Sequence, residues 1–356
     1  MLLKIKEKIH IKKHFKVPIN KLLLELEKKK KISSIITICP TTTGNSWQGV
    51  YTATINLFPN STFQIPQYFS NCIYTDQELK LISNKIVELK FDKIIFSGYC
   101  SYFSKLILAI KELNKKIEVF LIYHGSFATN SEDSTTSLLL KEILDLESSK
   151  QINKIGFVKK GMSESMRKIR NTNCSHILLS TDLRLMKYKT TGESKIRIGV
   201  LTHDQYRKNI HNQIAAALMV DKSIVHIKKN YNYKYFKSEN RFVVDPFFES
   251  IDDFYKNFAK MTINTYVSFS ECWGQLITES LIMGVPCLAA NNSGIFDHSE
   301  FLKRNLIVNE LDDSNSIYKQ MQIVLENRDE ISKKGVEYIS LLNKLSDEKL
   351  KTFLYK

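Results

Sequence analysis

From residue 34 onwards, short apolar runs alternate with longer amphipathic stretches. Residues 34–39, 93–97, 117–123, 154–158 and 176–180 carry the compact apolar pattern of buried strands. Helical patterns separate them: one from about residue 47, then 102–114, 137–147 and one between 158 and 176. Strand alternating with helix predicts a parallel, doubly wound α/β sheet. Residues 181–195 break the rhythm, and 187–195 is polar, contains Gly192 and has no apolar period. A second series follows, with strands at 196–201, 223–227, 242–244, 263–269, 286–290 and 305–308. Its helices are expected at 208–220, 275–283, 316–326 and 329–342. The pattern predicts a basic N-terminal extension over 1–31, a first α/β domain over 32–185 and a linker over 186–195. A second α/β domain over 196–340 and a helical tail over 341–356 complete it. Two such domains facing each other across a cleft would make a ligand site.

Composition adds limits. The chain has 356 residues and is 43% hydrophobic, enough for two cores. No stretch approaches the roughly 20 apolar residues of a membrane span, and no signal-peptide core follows Met1, Leu2 and Leu3. The six cysteines form no CxxC pair and read as reduced cytosolic thiols. The net charge of +15 favours anionic partners, although the chain is rich in Lys, Ile and Asn throughout. Residues 1–31 hold eleven lysines against Glu7, Glu25 and Glu27, with apolar residues interspersed. They read equally as a basic segment on an anionic membrane surface or as an extension packed on the first domain. Pro18 interrupts any single long helix there.

The densest chemistry lies between residues 266 and 290. Glu271 and Glu279 sit eight apart among apolar and small residues, where charge is costly without partners. Glu271 falls in the loop after a strand, beside Cys272, Trp273 and Gly274, where open α/β sheets bind ligands. It suits sugar hydroxyls or, more blandly, a helix cap. Glu279 lies one turn into the next helix, about 6 Å beyond Gln275 at 1.5 Å per residue. Its apolar neighbours Leu276, Ile277, Leu281 and Ile282 argue against a solvated face. The helix start at Gly274 and Gln275 offers free backbone N–H groups to a phosphate. Asn291, Asn292, Ser293 and Gly294 form a second donor-rich loop after the next strand. Arg207 and Lys208 follow the first strand of the second domain and suit a pyrophosphate, or are a surface pair in a Lys-rich chain. His124 ends a strand of the first domain, before Gly125 and Ser126, and could donate to a ligand oxygen or be satisfied locally. No Walker motif, GxGxxG after the first strand, metal-binding Asp-x-Asp, HExxH or GxSxG is present, and no nucleic-acid-reading signature is seen.

These residues together resemble the donor-binding signature of retaining GT-B glycosyltransferases, especially glycosyltransferase family four. The likeness rests on Glu271, Trp273-Gly274, Glu279 and Gly284-Val285-Pro286, dense over about 25 residues, with a looser order of elements over 33–340. Asn292-Ser293-Gly294-Ile295 looks like the Gly-rich loop, Arg207-Lys208 like the basic pair and His124-Gly125 like the His at the cleft edge. The resemblance implies two Rossmann-like domains facing across a cleft and a retaining, metal-independent transfer with no cofactor. Its partners would be a nucleoside-diphosphate sugar and a glycan, lipid-linked or protein acceptor, in cell-surface polysaccharide or glycoconjugate synthesis. Glu279 would then bind ribose hydroxyls and Glu271 the transferred sugar. Arg207, Lys208 and the helix start would hold the leaving diphosphate, with Cys272, Trp273, Gly274, Gln275 and Gly294 lining the donor site. Glu271, His124 and Lys208 would be the catalytic set, and Gly44, Asn45 and Ser46 the acceptor-side loop. Three departures stand out: a single Gly44 replaces a frequent pair, Leu201-Thr202-His203-Asp204 replaces the usual Gly-Arg, and Asn209 replaces a frequent Gly. The expected location is the cytoplasm, peripheral on the inner face of a membrane. Two other readings stay open: a non-catalytic protein of the same fold that binds a glycan or partner, and a basic membrane-surface or nucleic-acid binder.

Overall fold

The computed structural model describes residues 16–42, 48–68, 71–132, 134–189, 195–228, 236, 239–245 and 250–356. The chain divides into two compact units, Met1–Ser180 with Ser346–Lys356, and Thr181–Leu345. Each is a parallel sheet flanked by helices.

The first sheet has the order β3-β2-β1-β4-β5-β6-β7, parallel except for the β2–β3 pair. Its strands are β1 (Ile35–Thr42), β2 (Thr62–Tyr68), β3 (Asn71–Cys72), β4 (Lys93–Ser97), β5 (Glu118–Tyr123), β6 (Lys154–Phe157) and β7 (Cys174–His176). After their first residues β4 and β5 are buried throughout, because helices cover both faces, and their sequences are therefore nearly continuous apolar runs. Several elements escape the hydrophobic pattern, and two of them show why. β2 contains Pro66, which cannot donate to a ladder and breaks the strand signal. The helix Asp76–Glu88 opens with a capping box, in which Thr75 Oγ1 accepts from Glu78 N and the Glu78 carboxylate accepts from Thr75 N.

Of the N-terminal extension, residues 16–31 pack on this unit, and residues 1–15 lie outside the described residues. The helix Ile19–Ile32 follows Pro18 and places Leu22 and Leu26 in the core of the sheet's helical layer. Its charges are partly engaged: Lys30 donates to Lys90 O at 2.8 Å, and Glu27 pairs at 2.7 Å with Lys85 of the helix Asp76–Glu88. The run 176–180 also differs from expectation. Pairing in β7 stops at His176, and Ile177, Leu178 and Leu179 are buried outside the sheet, where Ser346 Oγ donates to Leu178 O at 2.7 Å. The expected tail is the end of one helix, Arg328–Tyr355, whose residues from 346 onwards belong to the first unit. Phe353 is fully buried there, its ring 5.4 Å from that of Phe120 on β5.

The second sheet is wholly parallel, in the order β10-β9-β8-β11-β12-β13. Its strands are β8 (Arg197–Val200), β9 (Ile224–Lys228), β10 (Phe242–Asp245), β11 (Ile263–Tyr266), β12 (Cys287–Ala290) and β13 (Ile307–Val308). The first strand of this series, β8, sits beside the fourth, β11, so the strand order reverses between them, and the crevice beyond their carboxyl ends is where such sheets bind ligands. The unit begins at Thr181, and the first three residues of the expected linker, 186–188, belong to regular structure. A 3-10 helix over Leu183–Tyr188 is capped by Asp182, and the Tyr188 ring lies 5.7 Å from Tyr255. Residues 190–194 of that linker lie outside the described residues. Among the described residues no helix is long and apolar enough to cross a membrane.

Candidate functional site

The chain leaves β8 and makes one 3-10 turn, Tyr206–Lys208, closed by Asn209 in the left-handed region at φ 53°. It then enters the helix Ile210–Met219, two residues later than the apolar pattern predicts. That turn aims Arg207 and Lys208 at the loop after β11. Lys208 is 4% exposed, and its Nζ donates to Tyr266 Oη at 2.5 Å and to Glu271 Oε1. Arg207 Nη1 reaches the same carboxylate oxygen at 3.3 Å. Desolvation holds the Lys208 ammonium below the ordinary lysine range; Glu271 opposes this and Arg207 adds to it.

Backbone and amide bonds lock the two loops together. Phe269 N donates to Arg207 O at 2.8 Å. Gln213, fully buried in the helix Ile210–Met219, donates to Lys208 O at 2.7 Å and accepts from Val267 N at 3.0 Å. The basic turn and the Glu271 loop therefore form one rigid support. Sequence reading missed Gln213, because a glutamine in an amphipathic helix carries no local signal.

Next comes Gly274, at φ +86°, where a side chain would also strike Ile277 Cδ1. It starts the eight-residue helix Gln275–Ile282. Glu279 is 4% exposed, so it is not on a solvated face. Tyr255 Oη, from the helix Ile251–Phe258, donates to Glu279 Oε1 at 3.0 Å. Burial pushes the Glu279 carboxyl up to about 8, the hydrogen bond from Tyr255 opposing and the charge of Asp182 adding to it. Tyr255 and Asp182 are further residues that the sequence did not single out.

The loop after β12 closes the far wall. Gly294 turns it at φ +74°, and Asn292 Nδ2 donates to Ser268 O at 2.7 Å. Four polar groups here are buried without a hydrogen-bond partner among the described residues: Ser268 Oγ, Trp273 Nε1, Gln275 Nε2 and Ser293 Oγ. Such orphans are costly and call for an incoming partner. Lys228 ends β9, the strand beside β8, and desolvation followed by the charge of Lys208 lowers its pKa. Its strand-end position was readable, but one more lysine in a Lys-rich chain does not stand out. His203 is held down at about 4 by desolvation of its ring and by Lys228, Lys208 and Arg207 around it. Cys272 is half-buried beside this group and acts on the Lys208 charge.

His124 belongs to the first unit, just past β5. Its Nε2 lies 3.1 Å from Ser97 Oγ, at the end of β4, and burial lowers its pKa to about 4. Gly44, Asn45 and Ser46 lie outside the described residues. Among the described residues no group of His, Cys, Asp and Glu could hold a metal ion.

Scans against protein-family models and against curated protein sequences find no match. Solved structures do match. Sucrose-phosphate synthase from Thermosynechococcus elongatus has a TM-score of 0.63 at 12% identity, over 89% of this chain and 98% of that one. Anabaena HepE in complex with UDP-glucose has a TM-score of 0.63 at 13% identity, over 89% and 99%. Trehalose-6-phosphate synthase, studied for enzymatic glycosyltransfer with retention, has a TM-score of 0.59 at 8% identity, over 90% and 99%. At these identities the likeness establishes architecture: the chain has the two-unit, Rossmann-like α/β fold of GT-B glycosyltransferases.

Proposed function

We propose that the protein is a retaining, metal-independent glycosyltransferase of the family-four type. It moves a sugar from a nucleoside-diphosphate donor to a hydroxyl of a glycan, lipid-linked or protein acceptor, in cell-surface polysaccharide or glycoconjugate synthesis. One observation carries the reading: Arg207, Lys208 and Glu271 converge at the strand-order reversal of the second sheet, with Glu279 buried one helical turn beyond. Two cations converge on the Glu271 carboxylate, a pairing of Arg and Lys that suits a dianionic diphosphate. Arg207 forks onto its oxygens, and Lys208 exchanges part of its bond to Glu271 for the departing phosphate. The backbone N–H groups at Gln275 add to this as a helix start. Stabilising the leaving diphosphate is the main catalytic work of such a site.

Glu271 turns to hydroxyls of the transferred sugar and Glu279 to those of the ribose, displacing the bond from Tyr255. The orphaned donors of Trp273, Gln275 and Ser293 find oxygens of the donor. The acceptor oxygen bonds to the anomeric carbon as the carbon–phosphate oxygen bond breaks, on the same face, and the leaving phosphate takes the acceptor's proton. His124 meets a sugar hydroxyl. The UDP-glucose held by HepE, a structural likeness, makes uridine donors the first to try. Titration calorimetry and release of nucleoside diphosphate over a nucleotide-sugar panel test the reading. Binding and turnover of one donor, lost in Lys208→Ala and Glu271→Ala, is the expected result. A panel with no binder, or variants that behave as wild type, would sink it.

A further inference from the structure

The first unit holds a buried chain of hydroxyls behind His124 whose protons can be counted. Thr54, in the helix Gln48–Leu57, and Ser97, the last residue of β4, are both fully buried. Thr54 Oγ1 lies 2.7 Å from Val50 O, Ser97 Oγ lies 2.7 Å from Thr54 Oγ1, and His124 Nε2 lies 3.1 Å from Ser97 Oγ. Each contact needs one proton. Thr54 and Ser97 supply one hydroxyl proton each, and the neutral imidazole supplies the third. Val50 O is a carbonyl and only accepts, so Thr54 must donate to it. Ser97 must then donate to Thr54, and His124 Nε2 must donate to Ser97. The reverse order would leave Val50 O and Thr54 Oγ1 pressed together with no proton between them.

The other ring nitrogen, Nδ1, has no hydrogen-bond partner among the described residues, and His124 as a whole is half-buried. We infer that the Val50–Thr54–Ser97 chain fixes His124 with its proton on Nε2, so that Nδ1 meets a ligand hydroxyl as a hydrogen-bond acceptor. This reverses the donor role that its place at a strand end first suggests. Thr54 and Ser97 are positioning residues, acting only through the imidazole. The identity of the hydroxyl, on a sugar, rests on the function proposed above; the position of the proton does not.

The test is two-bond proton–nitrogen NMR on the ¹⁵N-labelled full chain at neutral pH, with the His124 ring assigned by its loss in His124→Gln. The expected spectrum shows protonated Nε2 and bare Nδ1, with a preference of about fivefold or more from one net hydrogen bond. Thr54→Val removes the acceptor for Ser97, which then turns its proton on Nε2 and moves the ring proton to Nδ1; Thr54→Ser restores the wild-type pattern. A wild-type ring protonated on Nδ1, or a Thr54→Val ring unchanged from wild type, overturns the inference. Should Thr54→Val fail to fold, the wild-type spectrum alone decides. On addition of the donor found by calorimetry, the Nδ1 resonance is expected to move as it accepts a hydrogen bond, and a proton appearing on Nδ1 overturns the acceptor role. A wild-type ring with bare Nδ1 in a protein that binds no nucleotide sugar would overturn the glycosyltransferase reading and uphold the tautomer.

Discussion

The two units finish their parallel sheets with opposite chemistry. Beyond β8 and β11 of the second unit, two cations and a carboxylate are pressed together in a nearly dry loop, with a second carboxylate buried behind. Beyond β4 and β5 of the first unit, an imidazole rests on two neutral hydroxyls, and burial keeps it uncharged. Under the proposed function the charged end trades internal ion pairs for a ligand's charge, so its energetics would change on binding. The neutral end is built to hold one proton in one place, so its chemistry is settled before a ligand arrives.

Breaking the charged end should have the largest effect. Glu271→Gln leaves Arg207 and Lys208 facing each other without their shared anion; we expect a stability loss of about 3 kcal/mol in urea denaturation. Lys208→Ala should lower turnover by about 10²–10³-fold, with a smaller change in donor affinity. A Lys208→Ala protein with wild-type kcat would show that the charge cluster is only structural.

Glu279→Gln sharpens the contrast through pH. The folded carboxyl titrates at about 8 against an ordinary 4.5, so the folded state keeps a proton the unfolded chain has lost. Its contribution to stability is complete below 4.5 and is lost as pH rises through about 8. Wild type should therefore lose stability relative to Glu279→Gln between pH 5 and 9, measured by denaturation at several pH values. If ribose hydroxyls need the ionised carboxylate, donor binding at pH 7 releases a proton, and affinity climbs by at most about tenfold per pH unit up to 8. Calorimetry in buffers of different ionisation heat reads that release directly; zero release sets Glu279 apart from the ligand.

At the neutral end the sign is reversed and the effect smaller. His124 titrates at about 4 when folded, below the ordinary 6.5, so its contribution is complete above 6.5 and is lost as pH falls through 4. Wild type should lose stability relative to His124→Gln only on that acid side, and the ratio of their activities should stay flat from pH 7 to 9. A ratio that follows pH in that window would mean the imidazole changes charge during turnover.

Smallest of all is a spectroscopic change. Trp273 is one of two tryptophans, and its buried indole N–H lacks a partner among the described residues. Donor binding should alter its fluorescence, and Trp273→Phe should abolish most of that change while moving stability by less than about 1 kcal/mol.

Much of this was legible in the chain. Compact apolar runs carry the sheet strands, because helices cover both faces of the sheet. β2 was hidden by Pro66, and the helix Asp76–Glu88 by the eye's preference for apolar runs over a capping box. Glu271, Glu279, Arg207 and Lys208 stood out by type and spacing, and Arg207, Lys208 and Glu271 meet across more than 60 residues of sequence. What the sequence could not carry is partnership. Nothing local ties Tyr255 to Glu279, Gln213 to Val267 or Thr54 to Ser97, since each pair is joined by the crossing of separate elements.

The helix Arg328–Tyr355 has a consequence for the order of events in synthesis. Domains tend to fold as they emerge, the earliest first. Here the earlier unit needs residues that follow the second unit: Ser346 for the backbone at Leu178, and Phe353 for the faces of Phe120 and Lys154. Until residue 353 is made, the apolar surface around Phe120 stays bare, while the second unit has everything but its own turn to wait for. Folding of the first unit is thus held open until residue 353 is made, well after residue 180, and a nascent chain stalled before that point would present an unfinished sheet.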